Sequence, residues 1–169
     1  MRRTAELGLL LAMALILSYV ESLIPFSFGI PGIKLGLPNL IVLLLLYDGG
    51  RVREAFLVNG MRIVLSGFLF SNLYTILYAL AGAAFSFFAM LAGRRTKWFS
   101  MVGVSVLGGV FHNVGQLLVA MAVVETLAVA CYVPFLIVAG TVTGALLGFV
   151  GMELLPYLRR IGEEGEGKR

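Results

Sequence analysis

Long apolar stretches fill most of this chain, and almost all of its positive charges lie in the short connections between those stretches. Eleven of the thirteen Lys and Arg residues have this placement: Arg2, Arg3, Arg51, Arg53, Arg94, Arg95, Lys97, Arg159, Arg160, Lys168 and Arg169. Short loops on the cytoplasmic side of a membrane carry such an excess of Lys and Arg. The pattern predicts helices that cross a membrane, with these connections and both chain termini in the cytoplasm.

The composition agrees with a membrane protein and excludes a soluble domain. Hydrophobic residues make up 60% of the 169 residues, charged residues make up 13%, and the mean hydropathy is +0.99. A soluble domain must cover its surface with more polar groups than this. The apolar stretches are about 20 residues long, which suits helices and exceeds the roughly ten residues of a barrel strand. We predict an all-α, polytopic membrane protein with about six transmembrane helices in one compact bundle.

The apolar stretches divide the chain into spans at about residues 5–24, 34–47, 52–70, 73–92, 99–124 and 126–155. The second span is short and has Pro38 near its start, so it is predicted to begin below the outer interface or to be broken there. Pro156 is predicted to end the last span. Residues 1–158 then form the transmembrane domain, and residues 159–169 form a polar cytoplasmic tail that we expect to be disordered.

Several classes of function are disfavoured by what the chain lacks. The basic residues behind the net charge of +4 form the short-loop bias that orients the chain in the membrane, so no nucleic-acid partner is expected. Asp48 is the only aspartate, which rules out the paired Asp-rich motifs that hold magnesium and diphosphate in prenyl transferases. There is no P-loop motif, and one His and one Cys give no convincing metal site. We expect no catalytic activity, no cofactor and no ability to power transport alone.

Two cations depart from the loop pattern and mark the candidate site. Lys34 lies in a connection rich in Gly and Pro, and Arg62 lies inside an apolar stretch. Ionisable groups at membrane depth are costly and are functional candidates by default. The candidate substrate-binding residues are these two and the polar residues of the spans: Glu21, Lys34, Asn39, Asn59, Arg62, His112, Asn113 and Gln116. We predict a pocket open to the outside, in which Arg62 and Lys34 face an anionic or carbonyl-bearing solute.

Helical spacing favours a shared pocket for part of this set. His112 and Gln116 are four residues apart and Asn113 and Gln116 are three apart, so they are predicted to project from one side of their helix. A purely structural role is also open. In that interpretation Arg62 pairs with Glu21 or caps carbonyls, and the amides link helices by hydrogen bonds of about 0.6 kcal/mol each.

Small residues recur at four-residue spacing in two helices. Gly140, Gly144 and Gly148 do so in the last span, and Gly8 and Ala12 do so near the cytoplasmic end of the first. Such stripes let helices approach closely. We predict internal packing for the last span, whereas Gly8 and Ala12 are candidates for docking a second membrane protein.

Four segments carry a resemblance to a known family. They are S-Y-V-E-S-L-I-P at 18–25, P-G-I-K-L-G-L-P-N at 31–39, R-I-V-L-S-G-F-L-F at 62–70 and F-H-N-V-G-Q at 111–116. Together they resemble the Gx transporter family, which is also labelled heptaprenyl diphosphate synthase component I. That family is similar to the substrate-binding S components of energy-coupling-factor transporters.

The resemblance implies a six-helix S-component fold with the ligand near the outer face, beneath the loop between the first two spans. Lys34 and Asn39 would fall in that region. In such systems a transmembrane T component docks on small residues of the first helix, which would be Gly8 and Ala12 here, and separate ATPases supply the energy. The prenyl-synthase label implies an isoprenoid link for the family.

Three functional hypotheses follow for a multi-pass protein of the inner membrane, surrounded by lipid. The first is a substrate-binding subunit of an energy-coupling-factor-type uptake transporter for a small organic solute. The alternative is a non-catalytic membrane subunit or scaffold for a soluble prenyl diphosphate synthase or a membrane redox complex. A secondary transporter acting alone is the third, with Glu21 as its main candidate carboxylate.

Overall fold

The computed structural model describes residues 2–24 and 36–166, with side chains described for 4–24 and 36–160. Within these ranges the fold is all-α, as predicted, and contains no strand. Its elements are α1 (Arg2–Leu23), α2 (Asn39–Tyr47), α3 (Val52–Phe70), α4 (Leu73–Thr96), α5 (Met101–Val124), a 3₁₀ segment (Leu127–Tyr132) and α6 (Val133–Glu166).

Local sequence signals set several helix boundaries. The Asn72 side chain accepts a hydrogen bond from the Thr75 amide and caps α4, and the Ser100 side chain caps α5 through the Gly103 amide. Short polar side chains satisfy amides that have no partner inside the helix. Lys97 and Glu125 end α4 and α5 in the left-handed conformation, with φ of 58° and 52°. These boundaries lie close to the predicted spans.

Among the described residues, four helical segments are long and apolar enough to cross a membrane: Thr4–Leu23, Leu73–Thr96, Met101–Val124 and Leu127–Arg160. These segments make the chain a multi-pass membrane protein. The nine residues of α2 extend only about 14 Å, roughly half of a hydrocarbon core. The 19-residue α3 is long enough but carries Arg53, Glu54 and Arg62.

The short helix α2 lies at the centre of the bundle. It begins directly after Pro38, in agreement with the expectation of a short second span. Every residue from Asn39 to Leu46 is buried, so the helix has no lipid-facing side. It contacts α1, α3, α4, α5 and α6. A helix that is apolar on all sides requires this complete enclosure.

Glycines allow α6 and α5 to pack backbone against backbone, which confirms the predicted role of the small residues in the last span. A Cβ added at Gly140 would lie 2.7 Å from the Gly109 carbonyl oxygen, and one at Gly144 would lie 2.7 Å from the Ser105 carbonyl oxygen. On the other side of α5, a Cβ at Gly115 would lie 2.8 Å from the Ala81 carbonyl oxygen of α4. The helices α4, α5 and α6 therefore form a closely packed unit.

The prediction that Pro156 ends the last helix is wrong, because α6 continues through it to Glu166. Proline removes one backbone hydrogen bond from a helix interior. Tertiary contacts hold the helix on both sides of it: Leu155 and Leu158 pack against the core around α2, and Arg159 Nη2 donates to the Tyr47 carbonyl at 3.0 Å. Residues 159–166, expected in a disordered tail, are thus helical.

Cationic side chains gather around the last turn of α2, at what we call the basic end. Arg94 lies 5.6 Å from the centre of the Tyr47 ring, and Arg159 binds the carbonyl of the same residue. Arg51 forms ion pairs with Glu6 and Glu54. Burial acts to lower the pKa of Arg51, but these hydrogen bonds and charges raise it above its usual value overall. The negative end of the α2 dipole thus faces guanidinium groups.

The glycine packing gives a first prediction. Gly144→Ala should lower the melting temperature in detergent micelles by several degrees, because the new Cβ has no space against α5. Gly60→Ala in α3 is the matched control, since a Cβ there meets nothing within 4 Å. Helix propensity alone favours Ala over Gly by about 1 kcal/mol, so this control should be neutral or stabilising. Equal melting temperatures for the two variants would contradict the packing argument.

Candidate functional site

A polar cavity lies at the amino-terminal end of α2, on the opposite side of the bundle from the basic end. It contains about 440 Å³ of space between atoms, including the part open to solvent. Its lining combines hydroxyl, amide, charged and small apolar groups from five helices and their connections: Ser18, Glu21, Gly36, Asn39, Arg62, Ile63, Ser66, Gly67, Ser71, Thr75, Ile76, Ala79, His112 and Gln116. Ser71, in the turn between α3 and α4, is exposed and marks where the lining reaches the surface.

Arg62 projects from α3 into this cavity and is only 7% exposed. Its Nη2 donates to Asn59 Oδ1 at 2.8 Å, and its Nη1 donates to Ser18 Oγ at 3.3 Å. Both partners are neutral, and Nε has no hydrogen-bond partner within the described residues. A buried guanidinium with neutral partners is an unusual arrangement, because burial of a charge normally requires an opposite charge in contact.

Glu21 supplies the negative charge of the described lining. It is buried on α1 and accepts a hydrogen bond from the backbone amide of Gly36, just before α2. Backbone amides at the start of a helix favour an anion. Glu21 also attracts Arg62 electrostatically. Charges of both signs are therefore present in the cavity.

His112 and Gln116 lie side by side on α5 and both line the cavity, as their four-residue spacing predicts. Both are 5% exposed. Close approach of α4 positions them: a Cβ added at Gly82 would lie 2.8 Å from the His112 carbonyl oxygen and 2.9 Å from Gln116 Cγ. Gln116 Oε1 and Asn39 Oδ1 have no hydrogen-bond partner in the part of the chain that the structure describes. The site therefore offers two unused acceptors.

Two of the predicted residues are buried near the cavity without lining it. Asn59 acts through Arg62, because its Oδ1 accepts a hydrogen bond from Arg62 Nη2. Asn113 is directed to α6, where its Nδ2 donates to the Leu136 carbonyl at 2.9 Å. Adjacent helical residues differ by about 100° in direction, so Asn113 and His112 point to different neighbours. The expectation that Asn113 lines the same pocket as His112 and Gln116 is not met by this geometry.

The remaining predicted residues are Lys34, Gly8 and Ala12. Lys34 is outside the described residues. Gly8 and Ala12 are exposed on α1, and a Cβ added at Gly8 meets nothing within 4 Å. The surface around these two small residues is therefore open in the described structure.

Sequence reasoning missed much of the hydroxyl and backbone lining. Ser18, Ser71, Thr75 and Gly36 belong to the cavity but were not among the candidate residues. The spacing of three between Ser18 and Glu21 was an available signal, because it places both on one face of α1. Ser71 and Thr75 gave no comparable signal, since they occupy a turn and a first helical turn where such residues are common.

The free cavity suits water better than an organic molecule. The centre of a water molecule has about 20 Å³ in which to move, which is room for one or two waters. A larger ligand requires the lining to widen. The site lies where α1 and α3 meet α4 and α5, and the charged and amide groups converge there from different helices.

An all-helical bundle with several membrane-spanning segments and a buried polar cavity defines a class, the multi-pass membrane proteins with an internal polar cavity. Residues 10–154 match the family described as "Heptaprenyl diphosphate synthase component I", and the chain belongs to that family. This confirms the family predicted from the four sequence segments. No curated protein and no solved structure matches the chain.

The position of Asn113 gives a second prediction. Asn113→Ala should lower the stability of the α5–α6 contact by about 0.6 kcal/mol, the average for a hydrogen bond between membrane helices. Thermal unfolding in micelles measures the effect. Because Asn113 is directed away from the cavity, any small molecule that stabilises the unaltered protein should stabilise this variant equally. A loss of that stabilisation would show that Asn113 does act at the cavity.

Proposed function

We propose that this chain is a membrane-embedded substrate-binding subunit, similar to an S component, of an energy-coupling-factor-type uptake transporter for a small organic solute. It resides in the inner membrane with six helices and cytoplasmic termini. The binding site opens to the outside and is built from Glu21, Lys34, Asn39, Arg62, His112 and Gln116. Outside the lining, Asn59 supports Arg62, and Asn113 links α5 to the α6 backbone.

The burial of Arg62 carries this proposal. A guanidinium that serves only to hold helices together would be expected to contact a carboxylate or to have all its donors bonded. Arg62 instead has neutral partners, an unbonded Nε and a position on a cavity wall. These features support a ligand-binding role over the internal-pairing interpretation.

The orientation follows from the basic end. Arg51, Arg94 and Arg159 gather at one end of the bundle, and cationic loops favour the cytoplasmic side. The cavity lies at the other end, where it meets the outside. The short α2 fits this arrangement, because irregular backbone at membrane depth is tolerated where it lines a cavity.

Partner proteins supply the energy for transport, which the chain cannot provide alone. We propose that a transmembrane T component docks on α1 at Gly8 and Ala12, both exposed in the described structure, and that two separate ATPases supply the energy. Lipid covers the remaining apolar surface. The chain itself is proposed to be non-catalytic and to need no cofactor.

The role of Arg62 gives a third prediction. Protein extracted gently from its own host should retain a small molecule that native mass spectrometry detects. Arg62→Met should lose it, and Arg53→Met should keep it, because Arg53 lies on the same helix but is exposed at the basic end. Retention by Arg62→Met, or absence of any solute from the unaltered protein, would count against the proposal.

Cys131 gives a fourth prediction, on orientation. It is the single cysteine and is exposed in the 3₁₀ segment between α5 and α6. A membrane-impermeant maleimide should label it in intact cells. The control is a Trp98→Cys variant that also carries Cys131→Ser, since Trp98 is 89% exposed between α4 and α5. It should react only after permeabilisation, and the reverse labelling pattern would invert the proposed topology.

A second candidate function is favoured by the family description. A family named as a component of a heptaprenyl diphosphate synthase makes a non-catalytic membrane subunit or scaffold for a soluble prenyl diphosphate synthase the alternative. A scaffold for a membrane redox complex belongs to the same class. Co-purification distinguishes these roles: a prenyl synthase without ATPases supports the scaffold, and a T component with ATPases supports transport.

A further inference from the structure

The buried Arg62 indicates what kind of group a ligand must bring. Each Nη atom donates one hydrogen bond, to Asn59 or Ser18, and Nε donates none within the described residues. Nε and the second N–H of each Nη are therefore the donors left for a ligand. A charge-assisted hydrogen bond to an oxyanion is stronger than one to a neutral acceptor. An oxyanion at this position would also provide the contact counter-charge that the buried guanidinium lacks.

The amide side chains constrain the rest of the ligand. Gln116 Oε1 and Asn39 Oδ1 are buried acceptors that line the same cavity and have no partner in the described structure. Buried acceptors left without donors are destabilising. A ligand that fits must therefore carry N–H or O–H groups beside its oxyanion.

The charges of the lining limit how much negative charge a ligand can carry. In the described lining the charge of Arg62 is offset by that of Glu21. A monocarboxylate adds one negative charge to this balanced pair, and an amino group on the same molecule would cancel it. A diphosphate adds two or three negative charges, which cost more to hold in a low-dielectric site.

The apolar part of the lining also bears on the ligand. Among its described residues the cavity has Ile63, Ile76 and Ala79 as apolar walls and no Phe, Tyr or Trp side chain. Stacking of a ligand ring on one of these large aromatic side chains is therefore not available within the described lining. The apolar walls suit a short aliphatic portion.

We propose that the solute is a small aliphatic monocarboxylate with hydroxyl or amino groups near its carboxylate, which binds Arg62 Nε through the carboxylate and Gln116 and Asn39 through those donors. This inference rests on the proposed solute-binding function and names its substrate class. It separates the cavity from the diphosphate chemistry in the family description.

The test uses defined probes rather than the natural solute. The purified protein is titrated with sodium glycolate, which carries a carboxylate and a hydroxyl, with acetate, glycolamide and inorganic pyrophosphate beside it and sodium chloride as the ionic-strength control. Concentrations reach about 50 mM, because a ligand of about five non-hydrogen atoms binds weakly. Thermal unfolding in micelles reports binding, since a ligand of the native state raises the melting temperature.

Glycolate should raise the melting temperature by about 3 °C at ten times its dissociation constant. Acetate should raise it less because it lacks the donor, and glycolamide and pyrophosphate should match sodium chloride. Arg62→Met should abolish the glycolate shift, and Arg53→Met should retain it. If Arg62→Met does not fold, the comparison of glycolate with the uncharged glycolamide on the unaltered protein still decides whether binding requires a carboxylate.

No shift with glycolate, an equal shift with glycolamide, a larger shift with pyrophosphate, or an undiminished glycolate shift in Arg62→Met would each overturn the inference. The mass of the retained solute separates the two proposals. A retained neutral or diphosphate compound would overturn this inference and leave the solute-binding function standing. An empty cavity together with no glycolate shift would overturn both.

Discussion

The rest of the structure depends on the complete enclosure of α2. This nine-residue helix is too short to reach across a hydrocarbon core, and its residues from Asn39 to Leu46 are all buried. Its apolar side chains hold five surrounding helices together, and its two ends need polar partners that lipid does not provide. Those partners are Arg159 at the Tyr47 carbonyl and Glu21 at the Gly36 amide. The polar cavity exists because one end of α2 stops inside the bundle.

The two sides of the bundle are joined in different ways. Glycines such as Gly140 and Gly144 bring α6 and α5 into backbone contact, which leaves few alternative arrangements. The helices α1 and α3 meet through side chains, among them the hydrogen bond from Arg62 to Ser18. The cavity lies where these two kinds of packing meet. Its charged groups come from α1 and α3, and its imidazole and Gln116 amide come from the glycine-packed side.

Features set by local chemistry were predictable, and features set by distant contacts were not. The bounds of α3, the start of α2 after Pro38 and the pairing of His112 with Gln116 follow from charge, proline and helical period. The continuation of α6 through Pro156 does not, because it depends on packing against a helix more than a hundred residues away in the chain. The orientation of Asn113 likewise depends on which helix lies beside α5, a fact that spacing along one helix does not contain.

The enclosed helix α2 also connects the polar cavity and the basic end mechanically. One end of this helix contributes Asn39 to the cavity, and the other end holds Arg159 of α6 through the Tyr47 carbonyl. A helix of two to three turns is stiff along its axis, so its ends move together. A displacement of Asn39 along the helix axis therefore shifts Tyr47 against the arginines. The helix is thus a direct mechanical link between the polar cavity and the basic end.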